Sequence, residues 1–172
     1  KMANYMNYSK DLQNKTLLIH GSSLSNWLSI LKNDLSINPE KFTSLITGKM
    51  FGGNSVYWAN SFSKSYGYTH AYSSNNIACF ALGEVALGNT SKRTAADYYV
   101  TKKSLNSKGF NSIHGVGKMT PGGKTVIGDI SIPNESLVNS GQNSVLLYDE
   151  FVVYEQNQFI IKYLVIARDV AK

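Results

Sequence analysis

Three short segments of the chain carry side-chain types that can bind and transform a substrate. The first, residues 20–22, places the titratable imidazole of His20 directly after an apolar run. The second, residues 57–68, combines several tyrosines with a lysine and serines, which can hold a ring and polar groups. The third, residues 148–154, sets the carboxylate of Glu150 among aromatic and branched side chains. Taken singly, each has a structural explanation, since strand-end histidines, strand aromatics and strand glutamates usually serve packing or solvation.

The elements that must position these segments can be predicted from the hydrophobic pattern. Residues 16–20 form an apolar run ended by Gly21, which predicts a buried strand. A helix is expected next, because Leu24, Trp27, Leu28, Leu31 and Leu35 recur at helical spacing after the possible caps Ser22 and Ser23. Asn38-Pro39 is expected to end it.

The rest of the chain predicts further strands and one short helix. A helix over residues 61–68 would put Ser61, Lys64, Ser65 and Tyr68 on one face. The two glycine-bearing segments 115–123 and 134–143 are interpreted as long surface loops. The predicted strands cover residues 55–58, 77–87, the neighbourhood of 113, 125–127, and a C-terminal hairpin of 145–154 and 158–167 around a turn at 155–157. The fold class is therefore α+β, a mostly antiparallel sheet core with few flanking helices.

Composition restricts the class of protein. The 172 residues suit one domain, and 42% hydrophobic with 16% charged residues indicates a globular chain. The net charge of +6 favours acidic partners such as nucleotides, nucleic acid or anionic membrane, or serves solubility alone. Its lysines and arginines are scattered, without a nucleic-acid-binding stripe. A single cysteine, Cys79, lies in an apolar run and is interpreted as a buried structural thiol of an intracellular protein. No apolar run is long enough to span a membrane, and no signal peptide is present.

Two familiar motifs are excluded by spacing. A phosphate-binding loop ending at Gly123-Lys124-Thr125 would need a glycine where Lys118 stands, and Pro121 interrupts it. Three histidines and one cysteine offer no metal-ligand spacing, so no metal is expected.

Taken in this order, the three segments resemble the catalytic His, Tyr and Glu segments of the poly(ADP-ribose) polymerase family. That family belongs to the diphtheria-toxin-like ADP-ribosyltransferases, and its DNA-damage branch is the most similar. The resemblance runs from about residue 14 to residue 168, nearly the whole chain. Further segments that match the family pattern are Leu17–Asn26, Thr47–Gly52, Glu84–Asn89, Gly115–Pro121 and Ser144–Tyr154.

The resemblance implies that the chain transfers ADP-ribose from NAD to protein acceptors, including itself, and to growing poly(ADP-ribose), releasing nicotinamide. NAD would be a substrate, and no cofactor is expected. The implied catalytic residues are His20, Tyr57 and Glu150. The implied NAD contacts are Gly21, Ser22, Asn26, Lys64, Ser65 and Tyr68. Met50 and Tyr148 match positions on the acceptor side.

Several features depart from the family pattern. The family has an arginine where Ser36 stands in the run 35–39, so one adenosine contact is missing. The turn over residues 51–57 is one residue longer than usual, and Asn60 replaces a common aspartate. Residues 1–172 are expected to form one catalytic domain without the helical regulatory domain of the damage-sensing branch. Dependence on DNA is therefore not expected.

Two other functions stay open from the sequence. A mono-ADP-ribosyltransferase would use the same fold and stop after one transfer, although retention of Glu150 favours elongation. A binding module without turnover would hold ADP-ribose or nucleic acid on its basic surface. The presence of His20, Tyr57 and Glu150 makes this the weaker hypothesis.

Overall fold

The computed structural model describes residues 1–37 and 49–168; the expected helix break at Asn38-Pro39 and the matched Thr47-Gly48 lie outside these ranges. Its strands form two mostly antiparallel sheets, which confirms the α+β prediction. The strands, in chain order, are β1 (Lys15–Ser22), β2 (Val56–Trp58), β3 (Ile77–Ala86), β4 (Thr90–Arg93), β5 (Ser112–Gly115), β6 (Met119–Ile127), β7 (Ile130–Asn139), β8 (Glu150–Val153) and β9 (Phe159–Arg168).

The larger sheet has the order β6-β7-β1-β3-β9, so the first strand lies at its centre. Strand β1 pairs antiparallel with β3 along its whole length and parallel with β7 at its start. It continues past Gly21 to Ser22, two residues beyond the predicted strand, because Phe80 and Cys79 pair with them. The sheet thereby carries His20, Gly21 and Ser22 on regular backbone.

The smaller sheet has the order β2-β8-β5-β4 and brings the other two segments together. Tyr57 pairs with Val152 between the adjacent strands β2 and β8. The sheets pack through a core that includes Leu18, Trp58 and Phe159. A Cβ at Gly83 would lie 2.3 Å from the Trp58 ring, so the glycine lets the indole lie directly on the larger sheet.

Among the described residues, four short α-helices flank the sheets: α1 (Met2–Ser9), α2 (Leu24–Asn33), α3 (Phe62–Tyr66) and α4 (Lys102–Asn106). Helix α2 is amphipathic in sequence, but only Trp27 of it is buried. Leu28 and Leu31 are exposed, and Leu35 is buried beyond the helix end. Ser23 is the N-cap residue and makes no side-chain capping hydrogen bond. Helix α3 is shorter than predicted, and Tyr68 lies in the turn that follows it.

The two predicted loops at 115–123 and 134–143 are largely wrong. Strands β6 and β7 cover most of both segments and pair as a long antiparallel hairpin with a register shift between Pro121 and Gly123. Glycine and proline suggested a loop, but here they occupy a bulge, where an irregular strand tolerates both. Most side chains of this hairpin are exposed, so no alternating core pattern marked it as a strand.

The predicted C-terminal hairpin is also wrong. Strand β8 lies in the smaller sheet and β9 in the larger one, so the two are not hydrogen-bonded neighbours. A 3-10 helix at Gln156–Gln158 separates them, and the buried side-chain oxygen of Gln158 accepts hydrogen bonds from the backbone of Tyr154 and Glu155. Residues 145–149 do not form a strand; Val145 instead donates a backbone hydrogen bond to Thr94.

Cys79 is buried in β3, as predicted, and burial raises the pKa of its thiol. In the part of the chain that the structure describes, no helix is long and apolar enough to cross a bilayer. The same residues contain no group of three or more histidine, cysteine or acidic side chains arranged to hold a metal ion.

Candidate active site

A cleft of about 570 Å³ opens beside the end of β1 and is bordered by β2, α2, α3 and the first residue of β8. The structure brings most of the sequence-predicted site residues together there. Those that line it are His20, Gly21, Ser22, Asn26, Tyr57, Lys64, Ser65, Tyr68 and Glu150. A concave site with convergent polar groups is the usual form of a small-molecule site.

The His20 side chain is held by strand β2. Its Nδ1 lies 2.8 Å from the carbonyl oxygen of Tyr57. Because a carbonyl can only accept, the proton is assigned to Nδ1, and Nε2 is left as an acceptor. Burial lowers the pKa of His20, so the neutral ring is favoured. The imidazole is therefore suited to accept a hydroxyl hydrogen bond.

Gly21 is required by packing within the protein. A Cβ at this position would lie 2.1 Å from the backbone carbonyl oxygen of Ser65, at the end of α3. The Ser65 hydroxyl in turn donates to the carbonyl oxygen of Ile19 over 3.2 Å. Strand and helix are thus joined at one point, which places the Gly21 backbone beside the Ser65 hydroxyl in the cleft.

Two tyrosines form aromatic walls of the cleft. The Tyr57 hydroxyl accepts a hydrogen bond from the backbone of Phe51 at 2.8 Å and donates to Gly52 at 3.2 Å. Burial raises the pKa of Tyr57 to about 12, so its hydroxyl keeps its proton. Tyr68 is 37% exposed and lies with its ring centroid 5.4 Å from the Lys64 ammonium. The backbone of Tyr57 is fixed by pairing with β8 and its hydroxyl by these two hydrogen bonds, whereas Tyr68 is partly exposed.

Glu150 is only 5% exposed and forms an ion pair with Lys64. Burial alone would lower the pKa of Lys64, but the hydrogen bond and charge of Glu150 outweigh it and raise that pKa. A buried carboxylate in a cleft needs such a partner, since unpaired burial of a charge is costly. The ion pair with Lys64 therefore fixes the Glu150 carboxylate at the border of the cleft.

At the α2 side of the cleft, Asn26 donates from Nδ2 to the Ser22 hydroxyl over 3.0 Å. Ser36, which stands in place of the family arginine, also lines the cleft. The two acceptor-side candidates lie elsewhere. Met50 packs against a buried cluster that includes Phe51, Ile113 and Val152. Tyr148 forms an isolated β-bridge with Met119, the first residue of β6.

Comparison with known proteins now decides the family. The model for "Poly(ADP-ribose) polymerase catalytic domain" matches residues 1–168. The chain belongs to this family. It is 37% identical over 158 residues to poly [ADP-ribose] polymerase 1 of Gallus gallus, covering 90% of this chain and 15% of that protein. It is 34% identical over 163 residues to poly [ADP-ribose] polymerase 2 of Homo sapiens, covering 91% of this chain and 27% of that protein.

A third polymerase is similar over the same region. Poly [ADP-ribose] polymerase 2 of Arabidopsis thaliana is 35% identical over 157 residues, which cover 89% of this chain and 24% of that protein. The chain thus spans about a seventh to a quarter of the length of these relatives. The similarity is to their catalytic region.

Three residues in or beside this cleft are not marked by the sequence pattern. His70 and Tyr72 line the cleft, with ring centroids 5.8 Å apart, and His70 has a left-handed backbone with φ of 49°. Asp149, directly before Glu150, is 2% exposed and accepts several hydrogen bonds. No spacing signal marks Asp149, because its partners are distant in sequence.

Proposed function

We propose that the chain is an NAD-dependent ADP-ribosyltransferase that builds poly(ADP-ribose). The observation that carries this proposal is a buried, lysine-paired Glu150 in the cleft that also contains His20 and Tyr57. Family membership supports the same chemistry. NAD is proposed as a substrate and not a resident cofactor, since its ADP-ribose leaves on the acceptor.

We propose that the nicotinamide end of NAD binds at Gly21 and Ser65. The Gly21 backbone can bond the carboxamide, and the Ser65 hydroxyl can rotate from Ile19 to the ligand. Tyr57 and Tyr68 would enclose the ring, with stacking and apolar contact contributing to affinity. The opposite end would lie at Ser22 and Asn26, which line the α2 side of the cleft.

The adenosine ribose is proposed to donate a hydroxyl hydrogen bond to Nε2 of His20. The Nδ1 contact with Tyr57 fixes the tautomer that this requires. Ser36 cannot supply the charged contact that an arginine gives, so affinity for the adenosine end rests more heavily on Ser22, Asn26 and His20.

The proposed transfer breaks the bond between nicotinamide and the C1 atom of its ribose. Nicotinamide leaves with the bonding electrons, and the ribose acquires oxocarbenium character, as in glycoside hydrolysis. Glu150 is proposed to bond the ribose hydroxyl and stabilise that positive charge. The hydroxyl oxygen of the acceptor then bonds to C1 and its proton passes to solvent water. The Glu150 carboxylate favours this step by polarising that hydroxyl.

A mono-ADP-ribosyltransferase is the alternative that shares this cleft. Glu150 favours elongation, because a carboxylate beside the acceptor can orient the hydroxyl of a growing chain. Met50 and Tyr148 are retained as proposed acceptor contacts, although both lie outside the cleft lining. Incubation with labelled NAD and gel separation tests this: a ladder of long products is expected, and a single short addition would indicate mono-transfer.

Nicotinamide release separates transfer from simple binding. We expect NAD to be consumed with release of nicotinamide, and we expect the chain to modify itself as well as added protein. If NAD binds but no nicotinamide appears, the chain is a binding module, and the proposed transferase is wrong. We propose that the protein acts inside the cell, where NAD is supplied.

A benzamide should compete with NAD, because it reproduces the ring and the carboxamide. Ser65→Ala is expected to weaken benzamide binding roughly fivefold, since one neutral hydrogen bond is lost. Tyr68→Ala should weaken it by about tenfold or more, because stacking and apolar contact are lost together. Calorimetry on the three proteins checks the order. Tyr72→Ala, an exposed tyrosine of the same cleft, is the control and should change benzamide affinity little.

Broken DNA is expected to change the rate of the 172-residue chain little. These residues match the catalytic region, and their surface offers only scattered positive charge with a net of +6. Any stimulation should therefore be weak and should disappear as salt rises. Rates measured with and without DNA ends at two salt concentrations check this. Strong stimulation that persists at high salt contradicts the expectation.

A further inference from the structure

Asp149 is a buried carboxylate that accepts hydrogen bonds from three parts of the chain. The backbone N–H of Gly117 donates to Oδ1 over 2.7 Å, and Thr120 Oγ1 and Asn60 Nδ2 each donate to Oδ2 over 2.7 Å. The His114 ring lies close, with Nε2 3.5 Å from Oδ1. Burial acts to raise the pKa of Asp149, but His114 and these donors lower it overall, so the carboxylate stays ionised.

The segments joined by Asp149 are those that hold Glu150. Asn60 lies just before α3, the helix that carries Lys64, and Lys64 pairs with Glu150. Two neighbouring contacts, Asn60 with Asp149 and Lys64 with Glu150, therefore tie one segment to two consecutive residues. This fixes the start of β8 relative to α3.

The segment around Gly117 and Thr120 packs against residues 148 and 149 from the other side. A Cβ at Gly117 would lie 2.3 Å from the carbonyl carbon of Tyr148, so the backbone before β6 packs directly on the residue preceding Asp149. Thr120, near the start of β6, donates a hydrogen bond to the Asp149 carboxylate. Residues 148 and 149 are thus held from both sides, and Glu150 follows them without an intervening residue.

We propose that Asp149 is a positioning residue for Glu150 and that Asn60 is the partner through which it acts. This inference rests on the proposed transferase function. The Asp149 carboxylate fixes the start of β8 against the segment that carries Lys64, so that the Glu150 carboxylate meets the reacting ribose in one geometry. Catalytic groups displaced by about 1 Å can lose about a hundredfold in rate, which makes such support consequential.

Exchange of the two partners tests the inference. Asn60→Asp places two carboxylates face to face and is expected to lower kcat at pH 8 by about tenfold or more, with KM for NAD within about threefold. Asn60→Asp with Asp149→Asn restores one donor and one acceptor, and the new amide oxygen at position 149 can still accept from the Gly117 backbone. This double variant is expected to recover kcat to within about threefold of the unchanged chain.

The pH profile provides a readout that lost stability alone would not give. In Asn60→Asp the two carboxylates can share one proton, so kcat should rise as pH falls from 8 towards 6, whereas the double variant should not show this recovery. The groups that face the pair are His114 from β5, Thr120 from β6 and the Lys64–Glu150 ion pair. They are unchanged in both variants, so the double variant controls for their titration.

Rates are normalised to the fraction of sites that bind a benzamide, so unfolded protein does not count. If Asn60→Asp does not fold, Thr120→Val, which removes one donor at nearly constant volume, should still lower kcat about threefold with benzamide affinity unchanged. Glu84→Gln is the control for a buried carboxylate away from the cleft, held by Tyr5 and Lys162, and should leave kcat unchanged.

Two results overturn the inference: an Asn60→Asp variant as active as the unchanged chain, or a folded double variant that remains as slow as Asn60→Asp. Both presuppose an active unchanged chain. If that chain releases no nicotinamide although it binds benzamide, the proposed function fails instead. The two failures are therefore distinguishable in one set of assays.

Discussion

Glu150→Gln is expected to lower polymer elongation about a hundredfold while NAD affinity stays within about threefold. The amide keeps the shape of the side chain and can still bond a ribose hydroxyl. It loses the negative charge that opposes the developing positive charge on the ribose. That charge interaction strengthens only as nicotinamide departs, so its loss reduces the rate far more than binding. Gel analysis of labelled product, together with calorimetry of NAD binding, measures both quantities.

Glu150→Gln could also act by leaving the Lys64 ammonium unpaired. Glu150 is buried and paired with Lys64, so replacing it leaves a lysine without its counter-ion. Glu84→Gln controls for that effect, because Glu84 is also buried and its carboxylate lies 3.1 Å from the Lys162 ammonium. Glu84→Gln should cost stability without slowing elongation. Long polymer made by Glu150→Gln at nearly the normal rate contradicts the catalytic assignment.

Local sequence signals were sufficient where one side of an element is buried. The apolar run at residues 16–20 predicts β1 because that strand lies at the centre of its sheet and buries Leu18 and Ile19. Helix α2 was predicted from five apolar residues, yet only Trp27 of the helix is buried. The spacing therefore gave the correct element without giving the correct buried face.

The sequence pattern failed where pairing, not burial, forms the strand. Strands β6 and β7 are held by each other and lie mostly exposed, so Gly122 and Pro121 outweighed the weak apolar pattern. At the C-terminus, β-branched and aromatic residues correctly indicated strands. Their sheet partners could not be read, because β8 pairs with β2 and β5, which are distant in sequence.

The cleft residues were found by resemblance, and Asp149 shows what resemblance leaves out. His20, Tyr57 and Glu150 occupy matched segments, and the structure brings them to one cleft. Asp149 lies within a matched segment too, but its role depends on contacts with Asn60, Gly117 and Thr120, separated from it by 89, 32 and 29 residues. Only the folded chain brings these together.

Gly21→Ala is expected to have the largest effect of any single methyl group added to the cleft. The new Cβ would lie 2.1 Å from the carbonyl oxygen of Ser65, and both groups are backbone-held, so neither can turn away. Relief requires β1 and α3 to separate, and overpacking of this kind costs about 1–3 kcal/mol of stability. The same displacement moves the Ser65 hydroxyl from the Gly21 backbone, so benzamide affinity should fall about a hundredfold, more than Ser65→Ala alone causes.

Gly53→Ala supplies the matched control. Gly53 lines the same cleft, but a Cβ there meets no atom within 4 Å among the described residues. The same substitution should therefore leave both the melting temperature and benzamide binding nearly unchanged, or stabilise slightly by restricting the unfolded chain. Thermal unfolding and calorimetry on the two variants separate the explanations. If Gly21→Ala binds benzamide as tightly as Gly53→Ala does, binding of the nicotinamide end does not depend on the contact between β1 and α3. The proposed nicotinamide site at Gly21 and Ser65 is then wrong.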